Sequence, residues 1–136
     1  MKKTIIATQE APAAIGPYSQ AVRVGNMVYV SGQTPLDPAT GKLVPGDAAA
    51  QAEQCCKNVR AVLKGAGLGM EHVVKATVFI TDMDNFPIVN EAYKKALAVA
   101  RVASACNCAQ ANFDVLSMAA KRYKRPSSVR TSAMST

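Results

Sequence analysis

The strongest constraint on the fold is a predicted β-hairpin near the N-terminus. Residues 19–24 and 27–31 alternate in polarity and are rich in valine and tyrosine, which is typical of strands. Between them lies a Gly-Asn pair at positions 25–26, a good two-residue turn because both residues tolerate a positive φ. A Gly-Pro-Tyr segment (16–18) precedes the hairpin and a Ser-Gly-Gln segment (31–33) follows it. A plain hairpin needs neither, so both segments are candidates for a functional role.

Two amphipathic helices are predicted after the hairpin. Asp47 is a good N-cap for the first helix, which a glycine-rich stretch at residues 65–69 ends. Asp84 or Asn85 can cap the second helix, and Pro87 is tolerated in its first turn. The apolar residues with helical spacing are Ala52, Cys55, Val59, Val62 and Ala66 in the first helix, and Val89, Ala92, Tyr93, Ala96, Leu97 and Ala100 in the second.

The remaining strands complete a sheet. Residues 4–7 predict a short first strand, residues 73–81 are dense in β-branched side chains and predict a central strand, and residues 113–118 predict the last one. This order of elements favours a sheet covered on one face by two helices. The other face is then either polar or buried against another subunit. The candidates for a buried face are Val28, Val30, Val78 and Ile80.

The character of the sequence changes after residue 95. We expect one domain over residues 1–122, with an atypical segment at 96–122 and a basic tail at 123–136. Residues 1–95 carry ten basic and eight acidic side chains, whereas residues 96–136 carry six and one. The net charge of +7 therefore lies mainly after residue 95. It does not indicate a general phosphate-binding face on the body.

Neither a membrane span nor a metal site is predicted. No run of about 18 apolar residues occurs, and the apolar stretch after the first lysines is too short for a signal peptide. A cytoplasmic location is the resulting expectation. Cys55 is adjacent to Cys56, one residue separates Cys106 from Cys108, and His72 is the only histidine. These spacings do not match a zinc site and favour free thiols in a reducing compartment.

Three ordered motifs resemble the RidA family, also called YjgF or L-PSP. They are APAAIGPYSQAV, GNMVYVSGQTPLDPATGKLVPGD and VVKATVFITDMDNFPIVNEAY, and they fall within residues 1–95. The resemblance implies a chorismate-mutase-like α+β fold and a homotrimer with its sites between subunits. It also implies hydrolysis of reactive enamines and imines, such as 2-aminoacrylate, to 2-oxo acids and ammonia. A trimer would cover the open face of the sheet.

This chemistry requires few groups. An iminium carbon is already electrophilic, so neither a metal nor a cofactor is needed. The substrate carboxylate needs a cation, best an arginine, and the proton on nitrogen needs a donor or acceptor. Gly32, flanked by Ser31, offers a backbone that a small ligand can approach closely. Tyr18 resembles the family tyrosine that closes over the ligand, and Asn90 matches a family position near the pocket.

Each of these residues also has a purely structural explanation. Gly32 is also the type of residue that ends a strand. Tyr18 fits a half-buried ring at the start of a strand, and Asn90 fits a polar position in the first half of a helix.

The C-terminal third departs from the family pattern. Arg101 is the candidate carboxylate clamp, although a solvated arginine at a helix end explains it equally well. Cys106 or Cys108 stands near the place of the family's pocket cysteine, and Cys106 is taken as the candidate. The Ser-Met-Ala-Ala segment at 117–120 occupies the place of the family's glutamate, so the residue that would orient the water is missing. Either this third has diverged, or residues from about 96 come from a shifted reading frame, which the coding DNA would distinguish.

Two other classes of function stay open. The first is an RNA-binding endoribonuclease or translation inhibitor, since some family members are so described and the tail is basic. Against it, the body shows no interleaving of basic and aromatic residues of the kind that stacks bases. The second is a non-catalytic trimer that binds a small carboxylate and acts as a regulator or chaperone, which the missing glutamate favours.

Overall fold

The computed structural model describes residues 1–98 and two later strands at residues 103–108 and 115–121. Single turns of 3-10 helix at Met70–His72 and Met83–Asn85 precede the fourth strand and the second helix. The elements in chain order are β1 (Lys3–Ile6), β2 (Ala21–Val24), β3 (Met27–Gln33), α1 (Ala48–Gly65), β4 (Val73–Ile80), α2 (Phe86–Ala96), β5 (Ala103–Cys108) and β6 (Val115–Lys121).

The described strands form one sheet in the order β1-β2-β3-β6-β4-β5. Neighbouring strands are antiparallel except β4 and β5, which are parallel. A parallel pair needs a long crossover connection, and α2 lies within the one between β4 and β5. The prediction that the β-branched strand β4 is central is confirmed, because it lies between β6 and β5.

The predicted hairpin is confirmed. β2 and β3 pair in the register that places Val24 opposite Met27. The turn uses a positive φ only at Gly25, where φ is 58°, and Asn26 has a negative φ. A two-residue turn with a positive φ at its first central position alone is the type II′ pattern, which matches the twist of the flanking strands.

Both helices begin and end close to the predicted residues. The Asp47 side chain caps α1 by accepting a hydrogen bond from the Ala50 backbone N–H at 3.0 Å. Beyond Gly65, Gly67 has φ 72°, a left-handed conformation that stops the helix. Asn85 stands at the N-cap position of α2 without a side-chain hydrogen bond to the helix, while Pro87 lies in its first turn.

The two helices cover one face of the sheet, as predicted. All four of the candidate strand residues are buried, and so is the whole predicted stripe of α1. On α2, Val89, Ala92 and Leu97 are buried, whereas Tyr93 and Ala96 are partly buried. Ala100 lies outside the described residues. The two apolar stripes and the inward-facing strand residues form a single core.

On the opposite face of the sheet, a row of apolar side chains is open within one chain. The register places Ile5, Val22 and Tyr29 in one row across β1, β2 and β3. Ile5 is 67% exposed and Tyr29 is 53% exposed, although both lie in the interior of their strands. Among the described residues, no element packs over this row. A patch of this kind is typical of an interaction surface.

The C-terminal strands differ from the sequence-based expectation. β5 was not predicted, because its Ala, Ser, Cys and Asn residues have little intrinsic preference for strands. The last strand was predicted at residues 113–118 but spans Val115–Lys121. Pairing with β3 and β4 on either side places this segment in the sheet, which local periodicity cannot reveal. The predicted tail at 123–136 lies outside the described residues.

Candidate active site at the end of the hairpin

Ser31 connects the end of β3 to the segment that precedes β2. Its Oγ donates a hydrogen bond to the Ser19 carbonyl at 2.6 Å, and its backbone N–H donates to the Gln20 carbonyl at 3.0 Å. These bonds extend the hairpin beyond β2 and keep the segment with Tyr18 next to the end of β3. Because the hydroxyl proton of Ser31 is already used, this side chain can meet a ligand only as an acceptor.

The strand ladder is interrupted at the two predicted hairpin-end residues. The register between β3 and β6 shifts between Val30 and Gln33, so Ser31 and Gly32 lie in a bulge-like irregularity. Gly32 is exposed there. Bulges disrupt the regular backbone pairing and are frequent next to active sites. The geometry therefore suits Gly32 to backbone contact with a small ligand.

The ring of Tyr18 lies over the glycine that precedes it. The Tyr18 backbone N–H donates to the Gly16 carbonyl at 2.8 Å, which makes a tight turn. A Cβ added at Gly16 would lie 3.2 Å from the nearest ring carbon of Tyr18. Tyr18 is 52% exposed, so its side chain is accessible to a ligand. Its predicted closure over substrate stays a prediction.

A groove of about 440 Å³ runs beside Tyr18. This volume suits a small molecule. Its walls are the end of β1 and the segments on either side of the Gly-Pro-Tyr turn, with mostly apolar surfaces. The lining residues are Ile5, Ile6, Ala7, Thr8, Gln9, Ala13, Ala14, Tyr18, Ser19 and Gln20.

Gln20 fixes one side of this groove, a role that no local sequence pattern predicts. The side chain is buried, and its Oε1 accepts a hydrogen bond from the Thr8 backbone N–H at 2.6 Å. Its Nε2 donates to the carbonyls of Thr8, Ala11 and Pro12. One amide therefore satisfies an irregular backbone segment that would otherwise lose its hydrogen bonds on burial.

Asn58 likewise satisfies backbone carbonyls, in the segment that follows β3. It is buried in α1, and its Nδ2 donates to the carbonyls of Thr34 and Leu36, both at 2.9 Å. Its Oδ1 accepts from Gln54 at 2.9 Å. A sequence signal existed, because Asn58 interrupts the apolar stripe of α1 three residues after Cys55.

Asn90 lies apart from the hairpin-end residues. It is exposed on α2, next to the buried Val89. Among the described residues, no hydrogen bond joins it to Tyr18, Ser31 or Gly32. Its predicted contact with substrate stays a prediction.

The other two predicted site residues belong to the C-terminal third. Arg101 lies outside the described residues. Cys106 is in β5, and its register row runs through Val78 and Leu116 to Gln33. Three steps between strands separate the ends of this row, a distance of roughly 14 Å.

The start of β5 lies still farther from the hairpin end. Ala103, its first residue, belongs to the row that runs through Lys75 and Ala119 to Tyr29. Gly32 lies three residues beyond Tyr29, near the C-terminal end of β3. Within one chain, the start of β5 and Gly32 are therefore separated by the width of three strands and by about 10 Å along the strands.

The described part of the chain contains neither a membrane-spanning helix nor a cluster of metal-binding side chains. No helix there is both long and apolar enough to cross a membrane. No group of three or more His, Cys, Asp or Glu side chains there could hold a metal ion.

The fold and the hairpin-end residues define the class of protein. The family model described as Endoribonuclease L-PSP matches residues 8–117. The chain therefore belongs to the L-PSP family, which is the RidA family that the three motifs resemble. The family assignment made from the sequence is confirmed.

Particular relatives are similar in both sequence and structure. The chain is 52% identical to mouse 2-iminobutanoate/2-iminopropanoate deaminase over 92 residues, which cover 68% of each chain. It resembles a Thermotoga maritima protein, described as a candidate endoribonuclease, with a TM-score of 0.87, 41% identity, and coverage of 91% of this chain and 100% of that one. Escherichia coli TdcF, solved with bound serine, has a TM-score of 0.83, 38% identity, and coverage of 88% and 99%.

Proposed function

We propose that the protein is an enamine and imine deaminase that releases ammonia and a 2-oxo acid from 2-aminoacrylate-type compounds. The observation that carries this proposal is the 52% identity to mouse 2-iminobutanoate/2-iminopropanoate deaminase. Two features of the hairpin end support it: Gly32 is exposed where the strand ladder is interrupted, and Tyr18 lines an open groove.

The reaction needs only water and proton transfer. The enamine takes up a proton on carbon and becomes an imine. Water then adds to the C=N carbon, the nitrogen is protonated, and the C–N bond breaks to release ammonia and the 2-oxo acid. In the proposed site, Arg101 binds the substrate carboxylate, Gly32 contacts the substrate through its backbone, and Tyr18 closes over it. Ser31, Asn90 and Cys106 complete the binding surface.

The proposed site requires more than one copy of the chain. Within one chain, the start of β5 and Gly32 are three strands apart and lie toward opposite ends of the strands, so a cation supplied just before β5 would meet Gly32 from a neighbouring subunit. The open row of Ile5, Val22 and Tyr29 supplies an apolar surface for such a neighbour. We therefore include a homotrimer in the proposal.

The test is ammonia release from freshly generated 2-aminoacrylate by the full chain and by Arg101→Ala. We expect the variant to lose at least about tenfold in kcat/KM, since it lacks the charge-assisted contact with the carboxylate. Arg130→Ala removes the same charge from the tail and should retain the activity. An Arg101→Ala protein as active as the parent would remove Arg101 from the mechanism.

A second candidate is RNA cleavage or binding. The description of the matching family model as an endoribonuclease favours it, and the basic residues after position 120 would supply phosphate contacts. Under this hypothesis, a chain that ends at Tyr123 loses its RNA affinity and keeps its deaminase activity. If the truncated chain bound RNA as tightly as the full chain, the tail would have no such role.

A third candidate is a trimer that binds a small carboxylate without turnover. The bound serine in E. coli TdcF and the absence of an acidic residue after Asp114 favour it. Calorimetry with a stable 2-oxo acid, combined with the ammonia assay, separates the two possibilities. Affinity without ammonia release would favour the binding protein over the deaminase.

A further inference from the structure

A second, smaller groove lies between the two helices, in the layer that covers the sheet. It encloses about 190 Å³. We call it the interhelix groove. Its lining residues are Glu53, Cys56, Lys57 and Arg60 from α1, and Ala92, Lys95 and Ala96 from α2.

Small side chains form the bottom of this groove. Ala92 and Ala96 lie one turn apart on α2, and Cys56 of α1 is buried. Because neither alanine reaches beyond its Cβ, a gap remains between the helices, and longer side chains border it. The volume is below the range of about 300–1,000 Å³ that is usual for drug-sized ligands, so only a small group fits.

The rim of the groove is positively charged. Lys57, Arg60 and Lys95 contribute three cations, and Glu53 is the one carboxylate among the lining residues. Lys57 and Arg60 are three residues apart on α1, a spacing at which like charges repel each other and destabilise a helix. A bound anion would relieve this repulsion.

The cations of the rim differ from their neighbours on the same helices. Lys64 of α1 pairs with Glu10 at 3.0 Å, and Lys94 of α2 lies 3.9 Å from Glu91. In residues 1–98, by contrast, no carboxylate lies within 4.0 Å of the Lys57, Arg60 or Lys95 charge. Among the basic side chains of α1 and α2, those without a carboxylate partner in residues 1–98 are thus the three that line the groove.

Arg60 lies on the same side of α1 as the thiol at the bottom of the groove. Cys56 and Arg60 are four residues apart on this helix, a spacing that places both side chains on one face, and both line the groove. Burial raises the pKa of the Cys56 thiol to about 11, so the thiol adds no negative charge to the bottom of the groove at neutral pH.

We propose that the interhelix groove binds a small phosphoryl dianion, such as inorganic phosphate or the phosphate group of a small monoester. Arg60 presents a planar fork that matches two phosphate oxygens, and Lys57 and Lys95 add two point charges. Glu53 opposes the anion and limits its affinity. This site lies in the helical layer, so the inference does not depend on the deaminase activity.

Titration of the full chain with inorganic phosphate, followed by NMR at constant ionic strength, tests the inference. We expect saturable shifts of backbone amides on α1 and α2 around the groove. The double variant Arg60→Gln/Lys95→Gln should weaken binding by at least about tenfold, because two charge-assisted contacts are lost. Glu53→Gln should tighten it, because it removes the opposing charge.

A matched double variant provides the control. Lys64→Gln/Lys94→Gln removes the same net charge from the same two helices outside the groove, and it should change the affinity by no more than about twofold. Equal weakening of phosphate binding by both double variants would show that the effect comes from the overall charge, and would overturn the proposal. Amide shifts that chloride also produces, or that do not saturate with phosphate, would overturn the proposal as well. Succinate bound as tightly as phosphate would overturn the assignment of the ligand as a phosphoryl group.

Discussion

At the scale of single residues, buried amides position the loops that surround the candidate site. Asn58 in α1 donates to two backbone carbonyls just after β3, and Gln20 donates to three carbonyls before β2. Neither residue belongs to the predicted set. Both support the segments that carry Tyr18 and Gly32, and every buried side-chain N or O in the described residues has a partner.

Replacement of Asn58 should destabilise the fold strongly. In Asn58→Ala the carbonyls of Thr34 and Leu36 lose their donor, which we expect to cost about 2–4 kcal/mol of unfolding free energy. Urea denaturation measures this value. Gln54→Ala is the control, because it removes one partner of Asn58 and leaves both carbonyls satisfied. A loss no larger than that of Gln54→Ala would contradict the assigned role.

Burial of the Cys56 thiol should lower the free energy of unfolding at high pH. Its pKa rises from 9.0 to about 11 on folding, mainly through burial, so between these values the unfolded thiol releases its proton while the folded thiol retains it. The unfolded state then binds fewer protons, and the free energy of unfolding falls as pH rises. Comparison of the parent with Cys56→Ala at pH 8 and at about pH 11 isolates this contribution. The same slope in both proteins would assign it to other groups.

At the scale of elements, the helices and the hairpin follow local rules, whereas β5 and β6 do not. Caps, turn residues and apolar periodicity predicted α1, α2 and the β2–β3 hairpin within a few residues. β5 has no local signal and depends on its parallel pairing with β4.

The hypothesis of a shifted reading frame after residue 95 stays a prediction. It fails if no neighbouring frame of the coding DNA restores a Pro-Ala-Arg and Leu-Pro pattern.

Loss of the α1 cap should have a measurable effect on that helix. Asp47→Ala removes the acceptor for the Ala50 N–H, and we expect a loss of about 1 kcal/mol in the free energy of unfolding. Asp47→Ser should recover most of it, because serine is also a good cap. Thermal or urea denaturation of the three proteins decides the point. Equal stability of the parent and Asp47→Ala would show that the cap contributes nothing.

At the scale of the whole molecule, the open sheet face points to association. Tyr29 is exposed on this face, on β3, which lies between β2 and β6. The proposed intersubunit site and a homotrimer both depend on this face being covered. The single domain over residues 1–122 and the cytoplasmic location stay predictions.

Light scattering tests the trimer directly. We expect three copies for the parent and dissociation for Tyr29→Glu, because burying an unpaired carboxylate in an apolar interface is costly. Leu43→Glu introduces the same charge at a similarly exposed apolar residue in the loop after β3, and it should remain trimeric. A parent chain that is a stable monomer would eliminate the intersubunit site and, with it, the proposed role of Arg101.

Features that depend on neighbours along the chain could be read from the residues alone. Side-chain alternation indicated the hairpin, Asp47 and the glycines indicated α1, and the three motifs indicated the family and the candidate residues Tyr18, Ser31 and Gly32. The positions of β5 and β6, the hydrogen bonds of Gln20 and Asn58, and the separation of β5 from Gly32 became visible in the folded structure. These features arise from pairing and hydrogen bonds between residues distant in the chain, and local periodicity carries no record of such contacts.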